Sequence, residues 1–136
     1  ARFAGRVRPL RVFEDNALVR KVLEEEGAGQ VLFVDGGGSL RTALLGGNLA
    51  RLAWERGWAG VVVHGAVRDT EELRGVPIGL LALAATPKKS AKEGKGEVDV
   101  PLKVLGVEVL PGSFLLADED GLLLLPEPPS GVRSGG

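Results

Sequence analysis

An arginine and an aspartate stand side by side at Arg68 and Asp69, directly after the apolar stretch "GVVVHGAV". Two chemistries fit that pair. In one, guanidinium and carboxylate form a surface ion pair or a helix cap ahead of "TEEL", worth roughly 0–1 kcal/mol. In the other, the guanidinium grips a ligand carboxylate bidentately while Asp69 holds a hard divalent cation. Ligands of α/β proteins gather at the carboxyl ends of strands, where such a pair would lie. The residues alone leave both open.

A second candidate is the stretch "VLFVDGGGSLRTALLGGNLARLA", in which an apolar run ends at Asp35 and glycines follow at 36–38 and again at Gly46 and Gly47. Glycine-rich turns after strands often hold phosphates, but neither nucleotide pattern is complete. The dinucleotide fingerprint would need glycine where Arg41 stands, and the P-loop ending Gly-Lys-Ser/Thr is absent. Neither nucleotide motif survives, and whether another anion belongs there stays open at this point.

His64 is the sole histidine, so no histidine metal cluster and no histidine-paired nucleophile assembles within one chain. "DEDG" at Asp118 to Gly121 lacks the spacing and terminal glutamate of a calcium loop and reads as a hairpin turn. The polar segment "TPKKSAKEGKGE" carries Lys88, Lys89, Lys92 and Lys95. These could meet an acidic partner, and the reading preferred for them is a solvated loop.

The elements that must position these residues alternate. "FAGRVRPLRVF" reads as a strand near a sheet edge, because of its proline. "DNALVRKVLEEEG" reads as a helix capped by Asp15, with Ala17, Leu18, Val22 and Leu23 inward and Gly27 as its stop. "QVLFVD" and "GVVVHG" read as buried strands and "IGLLALAA" as a third apolar one, while "SLRTALL" reads as extended. "GNLARLAWERG" reads as a helix with Leu49, Leu52 and Ala53 inward and Gly57 at its end, and "RDTEELRG" as a short helix. After "DVPLKV" short strands between Gly, Pro and acidic turns suggest antiparallel pairing. The expectation is an α/β domain with a mixed sheet and a β-rich second half, spanning residues 1–126, then a flexible tail at 127–136.

Composition adds bounds. The 136 residues carry a net charge of −1 with 44% hydrophobic residues, which suits one globular domain and gives no reason to expect direct nucleic-acid binding. Cysteine is absent, which excludes disulfides and thiolate metal sites and leaves a cytoplasmic location unopposed. No apolar run is long enough to suggest a membrane span. The chain starts at Ala1 without methionine, and an N-terminal piece beyond it is expected.

The stretch "FEDNALVRKVLEEEGAGQVLFVDGGGSLRTALLGGNLARLAWERGWAGVVVHGAVRDTEEL", followed by "IGLLALAATPKKSAKEGKGEVDVPLKVLGVEVLPGSFLLADEDGLLLLP", resembles the RraA-like family from Phe3 to Pro126. That family includes the regulator of ribonuclease E activity A and the class II 4-hydroxy-4-methyl-2-oxoglutarate aldolases. The resemblance implies a swivelling β/β/α fold and a homotrimer with its site near the subunit interface. It implies a 2-oxo acid such as pyruvate or oxaloacetate against the amides of Gly46, Gly47, Asn48 and Leu49, with its carboxylate on Arg68. It also implies magnesium or manganese on Asp69, so that Arg68 and Asp69 carry catalysis. Active aldolases place an acid twenty-one positions before the arginine, and here that position is Gly47. The implied lyase is therefore expected to be weakened, and a non-catalytic regulator that binds a ribonuclease stands as the alternative.

Overall fold

In the computed structural model, which describes residues 2–129, the alternating pattern resolves into ten strands and three helices. They run β1 (Phe3–Arg11), α1 (Ala17–Leu23), β2 (Val31–Asp35), β3 (Ala43–Leu45), α2 (Gly47–Glu55), β4 (Gly60–Val67) and α3 (Thr70–Arg74). Then come β5 (Gly79–Ala85), β6 (Glu97–Val98), β7 (Leu102–Val104), β8 (Val107–Val109), β9 (Phe114–Asp118) and β10 (Gly121–Leu125). The main sheet has the order β10-β9-β1-β2-β4-β3, with β5 against β4 and β6 against β1. Neighbours among β1, β2, β4, β3 and β5 run parallel, and β6, β9 and β10 pair antiparallel, so the sheet is mixed as expected.

Both faces of the parallel core are covered, which explains why its strands are apolar throughout rather than alternating. On one face Leu32, Val34, Val61 and Val63 pack with Val19 and Val22 of α1 and Leu49 and Ala53 of α2. On the other, Val31, Phe33 and Val62 pack with Leu102, Val104 and Val109 of the separate β7–β8 hairpin. The result is three layers, hairpin, sheet and helices. Burying each of the valine, leucine and phenylalanine side chains among these contributes about 1.5–3 kcal/mol.

The β1 expectation needs correction. This strand lies inside the sheet, between β9 and β2, not at an edge. Proline is tolerated because β1 changes partner there: β9 pairs with Phe3–Arg6 and β6 with Leu10–Arg11. The missing donor of Pro9 falls in that gap, while its carbonyl still accepts the Asp99 N–H at 2.8 Å. The α1 stripe is also rotated from the one expected: Val19, Val22 and Leu23 are buried, whereas Ala17 and Leu18 are half-buried. α1 ends at Leu23, before Gly27. Gly27 is required for a different reason, since a β-carbon there would lie 2.6 Å from the Trp58 ring. At the far end Arg6 pairs with Glu127 at 2.9 Å, and the rest of the expected tail, 130–136, lies outside the described residues. No helix among the described residues is long and apolar enough to cross a membrane.

The N-cap of α1 is Asn16 rather than the expected Asp15, which is bound into the fold one residue earlier. Asp15 is buried, and its carboxylate accepts the amides of Ala17 at 3.1 Å, Glu93 at 2.8 Å and Gly94 at 3.2 Å. It thus ties the lysine-bearing segment between β5 and β6 to the start of α1. Burial raises the Asp15 carboxyl, but the backbone donors outweigh it and hold the group below its ordinary value. A lowered folded value stabilises the fold above the unfolded carboxylate range, and that stability is lost as pH falls through the folded value. Asp15→Asn is expected to cost about 1–3 kcal/mol at pH 7, read from urea unfolding. The difference from the parent should shrink at pH 3; an equal difference at both pH values would place the effect elsewhere.

Candidate active site

The glycines at 36–38 do not form an anion cradle, because their amides are spent within the fold. Gly36 and Gly38 donate to the His64 carbonyl at 3.0 and 3.1 Å, and Gly37 donates to the Asp35 carboxylate at 2.9 Å. His64 itself points Nδ1 at Asp35 Oδ1, 3.3 Å away, and so helps to fasten this turn. The turn at Asp118 is likewise internal: its carboxylate accepts the amides of Asp120 and Gly121 and closes the β9–β10 hairpin.

The second glycine pair is different. Gly46 is extended and Gly47 begins α2, with no side-chain cap on the helix. The first-turn amides of a helix lack intrahelical partners, so this end is left electropositive. Arg68 lies directly over it: a β-carbon on Gly46 would sit 3.2 Å from Arg68 Nε and 3.2 Å from Asp69 Oδ2. Its φ of −129° is ordinary, so glycine serves here for close approach and not for backbone freedom.

Asp69 occupies the left-handed region at φ 60° and makes no side-chain cap to α3. The helix-cap reading therefore fails. Asp tolerates this conformation better than most residues, and a non-glycine residue held there is a common mark of functional turns. Its carboxylate instead meets Arg68 Nη1 at 3.0 Å.

Arg68 separates two clefts of opposite charge. On one side a cleft of about 330 Å³ is lined by Gly46, Asn48, Leu49 and four basic side chains, Arg20, Arg68, Lys89 and Lys92. On the other side a more open cleft of about 620 Å³ is lined by Arg68, Asp69, Glu71, Glu72 and the end of β5 at Ala85. Anionic groups suit the first and a cation suits the second. A larger hollow of about 690 Å³ beside Phe3, Leu73 and Ile78 is apolar and holds no convergent acid–base pair.

Of the residues singled out by sequence, the fold brings Gly46, Asn48, Leu49, Arg68 and Asp69 together around this partition. Gly47 is buried beneath Glu72 instead: a β-carbon there would fall 2.6 Å from Glu72 Oε2. The four lysines are exposed, as the solvated-loop reading expects, but two of them have a further setting. Lys89 and Lys92 line the basic cleft because their segment is pinned on both sides. Ala43 donates to the Lys88 carbonyl at 2.8 Å, Asn16 donates to the Ala91 carbonyl at 3.0 Å, and the buried Ser90 hydroxyl donates to the Ala43 carbonyl at 2.7 Å. Arg20 and Glu72 carried no local signal at all; each reaches the site from a helix face that reads as solvent-exposed.

The fold and the partition can be set beside known proteins. The sequence profile of the RraA-like family, described as Aldolase/RraA, matches residues 1–124. A Thermus thermophilus protein named 4-hydroxy-4-methyl-2-oxoglutarate aldolase is 98% identical over the whole chain, which spans 83% of that relative. A solved structure described as the RNA-processing inhibitor RraA from Thermus thermophilus has TM-score 0.95 and 97% identity, with 100% of this chain and 83% of that one covered. A Geobacillus kaustophilus structure described as an S-adenosylmethionine:2-dimethylmenaquinone methyltransferase has TM-score 0.93 and 47% identity, with 98% and 83% covered. These names carry three different activities on one fold.

Proposed function

Because the chain belongs to the RraA-like family, we propose that it is a divalent-metal-dependent lyase of 2-oxo acids, of the 4-hydroxy-4-methyl-2-oxoglutarate aldolase and oxaloacetate decarboxylase type. One observation carries this reading: Arg68 stands between a basic cleft and an acidic one, with the open end of α2 beneath it. A small dicarboxylate fits the first, whose cations outnumber what one carboxylate needs. A methyltransferase reading gains nothing here, since the glycine-rich turn at 36–38 has no free amides for a nucleotide-like ligand.

In this reading the Arg68 guanidinium binds the carboxylate beside the 2-oxo group, and the amides of Asn48 and Leu49 orient it. Lys89, Lys92 and Arg20 hold the distal carboxylate and set the substrate's direction. The Asp69 carboxylate is a hard oxygen donor kept out of helix capping, which suits Mg²⁺ or Mn²⁺ with water and substrate filling the remaining positions. When bound, such an ion stabilises the negative charge that develops on the 2-oxo oxygen as the carbon–carbon bond breaks. The decisive assay is pyruvate release from oxaloacetate with and without Mn²⁺. Turnover that is indifferent to the ion, or absent, would sink the lyase reading and leave the regulator.

That second reading has its own support in the similarity to an RNA-processing inhibitor. The ribonuclease partner would engage an outer face, because a protein interface usually needs about 800 Å² per partner and the basic cleft is too small. Pull-down of a ribonuclease E-type enzyme, unaffected by oxalate, is the expected sign of it. As a soluble-metabolite enzyme or an RNA-processing regulator, the protein is assigned to the cytoplasm.

We further assign a homotrimer, on the strength of β5. This strand pairs only with β4 among the described residues, and its apolar run leaves Leu83 54% exposed. Open strand edges with apolar side chains invite a partner. The strand ends at Ala85, in the wall of the acidic cleft, so a second copy there would help enclose the site. Light scattering should give three times the chain mass, and a clean monomer would remove this assembly.

A further inference from the structure

We infer that Glu72 is the second carboxylate of the cation site, reaching from α3 into the space that a side chain at position 47 would otherwise fill. The inference rests on the cation-binding part of the lyase reading. Its foundation is the surroundings of two successive glycines. A β-carbon on Gly46 would lie 3.2 Å from Asp69 Oδ2, and one on Gly47 would lie 2.6 Å from Glu72 Oε2. The two carboxylates therefore descend on adjacent residues at the start of one helix. Asp69 is the N-cap of α3 and Glu72 lies in its first turn. Both also line the acidic cleft.

The bland account of Glu72 is an ion pair with Arg51, across the α2–α3 contact. That pair is long, at 3.5 Å between Arg51 Nη2 and Glu72 Oε1, and both side chains are about half exposed. Such contacts contribute little. They do not explain why α2 opens with a residue lacking a side chain under a carboxylate, for Gly47 has ordinary helical backbone and no need of conformational freedom. The missing β-carbon makes room for an acid from elsewhere. Mg²⁺ and Mn²⁺ sites commonly use one or two carboxylates with water, and the Asp69–Glu72 pair meets that demand. It also shows how the chain can lack an acid at position 47 without lacking an acid at the site.

Direct Mn²⁺ binding to the purified protein, read by electron paramagnetic resonance of the free ion, tests this without reference to turnover. Glu72→Gln should weaken Mn²⁺ binding by about tenfold, the scale for losing a group that supports a metal site. Gly47→Ala should do the same with Glu72 intact, because the added methyl displaces its carboxylate. Gly47→Asp in the Glu72→Gln background should restore most of the lost affinity. Arg51→Ala, which breaks only the ion pair, should leave binding unchanged or slightly tighter. If Glu72→Gln binds Mn²⁺ like the parent while Asp69→Asn does not, this inference falls and the Asp69 site stands. If neither substitution matters, the cation site itself is wrong. Circular dichroism and light scattering on each variant separate these outcomes from misfolding, and a parent-like fold with lost affinity is the supporting result.

Discussion

Arg68→Ala is expected to weaken oxalate binding by about 10- to 150-fold, while thermal unfolding stays close to that of the parent. A charge-assisted contact to a carboxylate is worth about 1.5–3 kcal/mol, which sets that range. The fold should tolerate the change because the side chain is partly exposed and its ion pair among the described residues is with neighbouring Asp69. The backbone amide of residue 68 keeps its bond to the Leu45 carbonyl at 2.9 Å whatever the side chain. Calorimetry with oxalate is the check. Unchanged affinity would make Arg68 a structural spacer between the clefts and would move the anion onto Arg20, Lys89 and Lys92 alone.

Asp69→Asn is expected to lower Mn²⁺-dependent pyruvate release by at least about a hundredfold, the upper edge of what removing a supporting group costs. Asparagine is the informative replacement. It accepts the left-handed backbone at φ 60° as readily as aspartate does, so the turn survives and only the charge is lost. A retained rate at saturating Mn²⁺, with only the half-saturating concentration raised, would show that Glu72 or water replaces Asp69. A retained rate at every concentration would exclude Asp69 from the chemistry.

Much of the architecture was legible because it is written in local pattern. The continuous apolar runs of β2 and β4 follow from burial on both faces, and the stop of α2 follows from Gly57 at φ 82°. The candidate pair at Arg68 and Asp69 was legible for a similar reason, since a polar couple ending a buried strand stands out. What failed did so through long-range facts. Pro9 looked like an edge residue because its sequence cannot reveal that β1 changes neighbours beside it. Lys89 and Lys92 are solvated as they looked, but that they also border a cleft was hidden, because the bonds that pin their segment involve Asn16, Ala43 and Ser90. Glu72 looked like one more acid on a short helix, and the space above Gly47 distinguishes it from Glu71.

The 3.0 Å contact between Arg68 and Asp69 has a thermodynamic consequence for the order of events. Paired in this way, each group neutralises the other, so neither offers its full charge to a newcomer. On the proposed reading, a carboxylate that drew the guanidinium toward itself would leave Asp69 more negative, and a cation that drew Asp69 away would leave Arg68 more positive. The two ligands would then raise each other's affinity, and reciprocity requires the factor to be the same in both directions. Each would arrive weakly by itself and tightly in company. A self-paired arginine and aspartate would thus make a poor trap for stray metal and stray anion, and reserve their strength for the two together.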